Sequence, residues 1–377
     1  MSRFLISCGG TGGHLSPGIA LAERLKDRGH SVRLLISQKK VDSRLVEKYP
    51  HLEFERLPGV GFSAHPVEAV RFFWHQSRGL LVSLRLLRRF RPDVVVGFGG
   101  FTSAAFIASG ALLGVPVVLH EANRVPCRAT RVLSRFARRV YLPAGVALSS
   151  VGADILREVG LPVRREFQRE PVEQARLTLG LKPNVPVVAV LGGSQGATPL
   201  NDWARRELPG LAAAGIQVYC VTGMGKGAAE EMELKARGGK EVKAVFAPFC
   251  DRMSTLLSAA DLVVSRAGAG TLAELIRSQA PALLIPYPQA ADNHQAANAE
   301  YFARQGCGEV IDQEDLSSLG ERVLALFAQP TSLTPFRENL QRLNRIDPLD
   351  YMVNDLEGIA RSGGKGGAVF SSNAGLA

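Results

Sequence analysis

The chain has 377 residues, of which 46% are hydrophobic and 21% charged, and it carries a formal net charge of +10. This length favours two domains over a single core, and the composition excludes a disordered polymer. The five cysteines are scattered and show no CxxC spacing, which argues against a disulfide framework or a zinc site and for free thiols in a reducing compartment. We find no signal-peptide pattern and no unbroken apolar stretch of about 18 residues, so we expect a soluble or surface-bound protein.

The first half of the chain alternates short apolar runs with helical stretches, a pattern typical of a parallel sheet with right-handed crossovers. A helix over Gly18–Arg28, opened near Ser16 and Pro17 and closed by Gly29, is one of these stretches. The predicted strands are Phe4–Cys8, Val32–Ile36, Val94–Gly97, Val115–His120 and Arg139–Tyr141.

The loop Gly9–His14 joins the first predicted strand to the first helix. Its four glycines leave backbone N–H groups open to a ligand, and the helix N terminus adds partial positive charge. His14, a titratable imidazole, ends the loop. This combination indicates a polar or anionic ligand with proton chemistry beside it.

The stretch Val70–Phe90 places aromatic residues beside arginines. One interpretation is an ordinary amphipathic helix packed on the sheet, and part of the stretch must be that. The aromatic cluster exceeds one core face, however, and residues 71–91 and 124–139 each hold six arginines and no acid, which suits nucleic acid or anionic lipid. We therefore predict an interfacial membrane contact through Phe72, Phe73, Trp74, Arg78 and Arg85.

The pattern restarts at Val185–Leu191, which predicts an α/β fold of two Rossmann-like doubly wound domains facing a cleft. We expect an N-terminal domain over 1–162, a second domain over 163–340, a C-terminal helix over 341–361 returning to the first domain, and a flexible tail over 362–377. The further predicted strands are Gln217–Val221, Ala244–Phe246, Leu262–Val264 and Ala282–Ile285.

Three glycine loops follow strands, at residues 9–14, 97–103 and 192–197. One such loop could serve turn geometry alone, but three at comparable strand ends indicate a ligand. Dinucleotide binding fits poorly, because the glycine spacing is wrong and no acid ends the second strand. A Walker loop fails as well, because no Gly-Lys-Ser/Thr follows any loop.

Several polar residues remain open to two interpretations. We expect Thr271 to Glu274 to open a helix, in whose first turn Glu274 either caps the helix or accepts hydrogen bonds from two ribose hydroxyls. Arg164 either binds a diphosphate or is a solvated charge. Glu121 with Asn123 either orients an acceptor and holds His14 or forms a buried structural pair. Three further residues either bind sugar hydroxyls or cap a helix, namely His294, Gln295 and Asn298.

Six segments in a fixed order, GGTGGH, GFGGFTS, HEAN, GGSQGA, RAGAGTLAE and DNHQAAN, resemble the MurG family of bacterial N-acetylglucosaminyltransferases. The resemblance runs from about Arg3 to about Arg361. It implies the two-domain GT-B fold and transfer of GlcNAc from UDP-GlcNAc to the muramyl 4-hydroxyl of undecaprenyl-linked lipid I. The products are β-1,4-linked lipid II and UDP, formed at the cytoplasmic face of the cell inner membrane.

The resemblance also implies residue roles. His14 is the expected base, with Glu121 as the second candidate. Phe249 and Cys250 would flank uracil, and Arg164 with Ser194 would bind the diphosphate. The expected substrate-binding residues are Thr11, Gly12, Gly13, Asn123, Arg164, Ser194, Gln195, Phe249, Cys250, Gly268, Ala269, Gly270, Thr271, Glu274, His294, Gln295 and Asn298.

Beyond the two substrates we expect an anionic membrane surface as a partner, participation in a cell-wall synthesis complex and no nucleic acid. No cofactor or bound metal is expected, and any divalent cation would act as a free stimulant.

Leu161 and Ala267 depart from the asparagine and serine frequent in the family, and a common Gly-Pro pair is absent after Ser103. The rivals are another glycolipid transferase or a UDP-GlcNAc epimerase on the same fold, and a basic nucleic-acid-binding protein.

Overall fold

The computed structural model describes residues 1–9, 12–37, 45–57, 66–99, 101–193, 196–329 and 331–363. For Gly12, residues 66–77 and residues 101–102, it describes the backbone only. The chain forms two compact units. The first consists of Met1–Glu121, Pro126–Val159 and the chain from Pro348 onward, and the second of Ala122–Val125 and Gly160–Asp347.

The first unit is a seven-stranded parallel sheet in the order β3-β2-β1-β4-β5-β6-β7. The order reverses direction beside β1, which makes the space after β1 and β4 the topological switch point of a doubly wound sheet. The strands are β1 (Arg3–Ser7), β2 (Ser31–Ile36), β3 (Glu53–Arg56), β4 (Val94–Gly97), β5 (Val117–His120), β6 (Arg139–Leu142) and β7 (Leu156–Glu158). The helices are α1 (Gly12–Asp27), α2 (Pro66–Phe90), α3 (Phe101–Leu112) and α4 (Arg128–Leu133).

The second unit repeats this architecture in the order β10-β11-β9-β8-β12-β13-β14, and only the β10–β11 pair is antiparallel among its described pairs. Its strands are β8 (Val187–Leu191), β9 (Gln217–Val221), β10 (Glu230–Lys235), β11 (Glu241–Ala247), β12 (Leu262–Ser265), β13 (Ala282–Leu284) and β14 (Gly308–Val310). Its helices are α5 (Val172–Thr178), α6 (Thr198–Ala213), α7 (Met253–Ala259), α8 (Ala269–Ser278), α9 (His294–Arg304), α10 (Leu316–Ala328) and α11 (Thr334–Leu343).

The last described helix, α12 (Pro348–Gly363), belongs to the first unit. Met352 and Leu356 lie at 0% exposure in the same core as the strand residues Phe4 and Ile6. Asp355 fixes the register of the helix, because it accepts hydrogen bonds from the Arg139 guanidinium and from the Tyr141 hydroxyl at 2.9 Å. The returning segment therefore begins at residue 348 instead of the predicted 341, and the tail from residue 364 onward lies outside the described residues.

Two predicted helix starts are wrong. Helix α1 begins at Gly12, four residues before the predicted start at Ser16, and Pro17 lies inside it. Helix α8 begins at Ala269, two residues before the predicted start at Thr271. In both cases glycines that a propensity scale assigns to a loop occupy the first helical turn, where the backbone N–H groups have no intrahelical acceptor.

Candidate functional site

The carboxyl end of β12 leads directly into helix α8, at the switch point of the second sheet. Gly268 is the N-cap, makes no side-chain capping bond, and no acid lies in the first turn. The residues from Gly268 to Thr271 are partly exposed. This helix end therefore presents backbone N–H groups and partial positive charge to solvent, which is the arrangement that binds anions and polar ligands.

Glu274 lies in the second turn of α8, so it does not cap the helix. Its Oε1 is 3.6 Å from Nη2 of Arg164, whose Nη1 is 2.8 Å from Glu166 Oε1. The Arg164 side chain is 10% exposed and its guanidinium also lies over the ring of Phe167. The solvated-charge interpretation of Arg164 is therefore wrong, because the arginine is buried between two carboxylates.

The Glu274 carboxyl has an unusual affinity for protons. Burial raises its pKa from an ordinary 4.5 to about 7, and the charge of Glu166 adds to this rise. The Arg164 charge and hydrogen bond act in the opposite direction and lower the pKa only in part. One fifth of the Glu274 side chain remains exposed, so hydroxyl groups of a ligand can reach it.

Helix α9 clamps the loop that precedes α8. Gln295 Oε1 accepts the N–H of Ala267 at 3.2 Å and that of Tyr287 at 3.0 Å, and Asn298 Nδ2 donates to Ala267 O at 3.1 Å. Both backbone polar groups of Ala267 are thereby held by amides of one helix. Gln295 uses its carbonyl oxygen for both of its bonds.

Asn298 is a buried residue with several hydrogen bonds. It is 2% exposed, its Nδ2 also donates to Asn123 Oδ1 at 3.1 Å, and its Oδ1 accepts the Arg124 N–H at 2.9 Å. Its described bonds therefore hold Ala267, Asn123 and Arg124, and its predicted contact with substrate stays a prediction. His294 Nδ1 donates to Ala291 O at 2.7 Å, in the turn before α9, and this helix start has no side-chain capping bond.

The remaining predicted donor residues lie around the same sheet. Phe249 is partly exposed in the loop after β11, whereas Cys250 is 7% exposed and its thiol bonds to Tyr219. The backbone is therefore the part of Cys250 that a ligand could contact. Ser194 and Gln195 lie outside the described residues, but the loop around them needs glycine for packing: a Cβ on Gly192 would lie 2.1 Å from Ala197 N.

At the switch point of the first unit, His14 lies against the second glycine loop. The helical start at Gly12 puts His14 in the first turn of α1, and a Cβ on Gly99, which has φ +95°, would lie 3.4 Å from His14 Nε2. Ser103 holds this loop, because its Oγ donates to Gly99 O at 2.6 Å and lies 2.9 Å from Ser7 Oγ. Gly12 and Gly13 share the helix start, and Thr11 lies outside the described residues.

Glu121 occupies a structural position. It is 3% exposed, and its Oε2 accepts the Cys127 N–H and the Thr130 hydroxyl, each at 2.8 Å. These bonds tie the end of β5 to helix α4, so Glu121 has structural contacts. Asn123 is bonded to Asn298, and the choice between His14 and Glu121 as the base stays a prediction.

The predicted membrane-contact residues are described only in part. The side chains of Phe72, Phe73 and Trp74 lie outside the description, whereas Arg78 and Arg85 are exposed on α2. Sequence reasoning missed Val132 and Phe136, which are 58% and 57% exposed among arginines of the second basic run. The sequence signal that could have identified these two residues is the run of six arginines over residues 124–139.

The described residues contain no cluster of three or more His, Cys, Asp or Glu side chains able to hold a metal ion. Likewise, no helix within the described ranges has the length and apolarity needed to cross a membrane.

Both units have the α/β architecture of GT-B glycosyltransferases. Residues 4–142 match the N-terminal domain of glycosyltransferase family 28, and residues 187–346 match its C-terminal domain. The chain is 57% identical over 374 residues to a UDP-N-acetylglucosamine–N-acetylmuramyl-(pentapeptide) pyrophosphoryl-undecaprenol N-acetylglucosamine transferase of Opitutus terrae, covering 99% of both chains.

A transferase of the same name from Desulforudis audaxviator is 35% identical, covering 96% of this chain and 99% of the relative. The crystal structure of Acinetobacter baumannii MurG shares the fold, with a TM-score of 0.70 at 21% identity, covering 95% of this chain and 100% of that one. The chain therefore belongs to glycosyltransferase family 28 and, within it, to the MurG family. The predicted fold class and hexosyltransferase class are confirmed.

The raised pKa of Glu274 predicts a pH-dependent stability. The unfolded chain ionises this carboxyl near pH 4.5 and the folded protein near pH 7, so its contribution to stability is full below pH 4.5 and is lost as the pH rises through 7. Relative to Glu274→Gln, which stays neutral, the wild type should lose about 2 kcal/mol of unfolding free energy between pH 5 and pH 8. Urea unfolding of both proteins at the two pH values measures this difference, and a constant difference would contradict the assignment.

Proposed function

We propose that the second unit binds UDP-GlcNAc at the carboxyl edge of β12 and that GlcNAc is transferred to the muramyl 4-hydroxyl of lipid I, giving lipid II and UDP. The observation that carries this proposal is the Glu274 carboxyl beside Arg164 at the uncapped start of α8. A carboxylate accepts hydrogen bonds from the two ribose hydroxyls, and the guanidinium with the helix N terminus attracts the diphosphate.

The transfer is a single inverting displacement. His14 takes the proton of the attacking hydroxyl, the new glycosidic bond forms at the anomeric carbon, and the bond to the UDP oxygen breaks with its electron pair. An imidazole suits the first task because its unperturbed pKa lies near neutrality. Arg164 and the α8 N terminus stabilise the charge on departing UDP, and any divalent cation is proposed to act from solution.

We also propose that the first unit docks on the anionic surface of the inner membrane's cytoplasmic face. Helix α3 contacts both α2 and α4, so exposed apolar residues of all three helices can form one surface. Leu81 and Leu112 are 55% and 72% exposed and add to Val132 and Phe136. The exposed arginines on the two flanking helices are Arg78, Arg85, Arg88, Arg89, Arg128 and Arg131. Apolar side chains among cations are typical of interfacial membrane binding.

The catalytic proposal predicts different effects for two substitutions. His14→Ala should lower kcat by about a hundredfold or more, because it removes the base. Glu121→Gln should lower kcat far less, since the amide oxygen can still accept the bonds from Cys127 and Thr130. Transfer of radiolabel from UDP-GlcNAc to a synthetic lipid I analogue measures both. Absence of transfer by the wild type would contradict the function, whereas a normal kcat in His14→Ala would contradict only the base.

The membrane proposal predicts that Val132→Ser with Phe136→Ser weakens binding to phosphatidylglycerol vesicles, because two exposed apolar contacts are lost. Leu177→Ser is the matched control: Leu177 is 55% exposed but lies on α5 of the second unit. Co-sedimentation with vesicles measures the bound fraction. Equal binding of the wild type and the double variant would refute the proposed surface.

A further inference from the structure

The loop after β9 is a fourth glycine-rich turn at the carboxyl edge of the second sheet, and no role has been assigned to it above. It contains Gly223, Gly225 and Gly227, whose φ angles are +99°, +79° and +116°. Between the last two lies Lys226, an exposed residue. Strand β9 is the neighbour of β8 in the sheet, so this loop adjoins the Gly192–Ala197 turn.

Lys226 bonds directly to that turn and to the helix that follows it. Its Nζ donates to Gly196 O at 3.2 Å and to Thr198 Oγ1 at 3.0 Å. The backbones of the two loops approach closely at Gly196, where a Cβ atom would lie 2.0 Å from Thr222 O. Asn201 of α6 donates to the same carbonyl at 2.9 Å, which fixes the position of the β9 loop against the helix.

The electrostatics of this contact favour an anion nearby. Thr198 is the first residue of α6, and no acid lies in the first turn of that helix. A lysine beside a helix N terminus brings two positive features together, which is unfavourable in the empty protein. A diphosphate at the same edge of the sheet would be attracted by both, and the contact would then contribute to ligand binding instead of to stability alone.

We propose that Lys226 is a positioning residue for the diphosphate of the nucleotide-sugar donor. It holds Gly196, near the end of the glycine turn after β8, against Thr198 at the start of α6, and it adds positive charge to that edge of the sheet. This inference rests on the proposed function, since it assumes a uridine diphosphate in the second unit. The uridine end of the ligand, bound near Glu274 and Phe249, does not depend on Lys226.

The test compares two ligands that differ only in the diphosphate. Calorimetry with Lys226→Met should give about fivefold to tenfold weaker binding of UDP and unchanged binding of uridine. The KM for UDP-GlcNAc should rise by a similar factor at nearly constant kcat. Lys226→Arg should restore most of the UDP affinity, because a guanidinium can donate to both acceptors. Thr198→Val, which removes one acceptor, should show a smaller loss with the same selectivity for UDP.

Lys240→Met is the matched control, since Lys240 also donates to a backbone carbonyl, Asn184 O at 2.7 Å, but at the amino end of the same sheet. It should bind both ligands as the wild type does. If Lys226→Met weakens UDP and uridine equally, or binds UDP normally, the role of Lys226 is overturned. If the wild type itself does not bind UDP, the proposed function fails, which is a distinct result.

Discussion

Keeping a carboxylate ionised where protein replaces water is unfavourable, and the second unit places Glu274 in such an environment. Arg164 compensates only partly, because the same guanidinium also pairs with Glu166. The result is a carboxyl with a pKa of about 7, to which a ligand can donate hydrogen bonds. In the proposed donor site, ribose hydroxyls supply these hydrogen bonds, and their binding would recover part of the free energy that burial of the ionised carboxyl costs the empty protein.

The hydrogen bonds that hold Ala267 also help to position Glu274. Gln295 and Asn298 hold both backbone groups of Ala267, and this fixes where α8 begins and therefore where Glu274 lies. A similar device operates in the first unit, where Ser7 and Ser103 hold the loop against which His14 lies. In each unit, polar side chains hold the loop beside a glycine-rich helix start, and His14 or Glu274 lies in the first two turns of that helix.

The sequence predicted the parts of the fold that depend on local chemistry. Glycine-rich segments follow β1, β4 and β8, as the spacing indicated, because a tight strand-to-helix turn favours those residues. The charged edge strand Glu230–Lys235 was missed, since its ladder with β11 supplies a register that no apolar pattern reveals. Asn298 and Gln295 carry the same amide group one helical turn apart. The burial of Asn298, which the sequence does not reveal, distinguishes it from Gln295. The side-chain bonds of Glu121 likewise depend on Thr130, nine residues away, which no local pattern indicates.

The central claim is that Glu274 binds the donor as an ionised carboxylate. Calorimetric titration with UDP-GlcNAc from pH 6 to pH 8 tests it directly, because this phosphodiester-linked ligand has no terminal phosphate that titrates in the range. The wild type should bind more tightly as the pH rises through about 7, and Glu274→Gln should bind more weakly with little dependence on pH. A wild-type affinity that is constant across this range, or an equal slope in Glu274→Gln, would contradict the account.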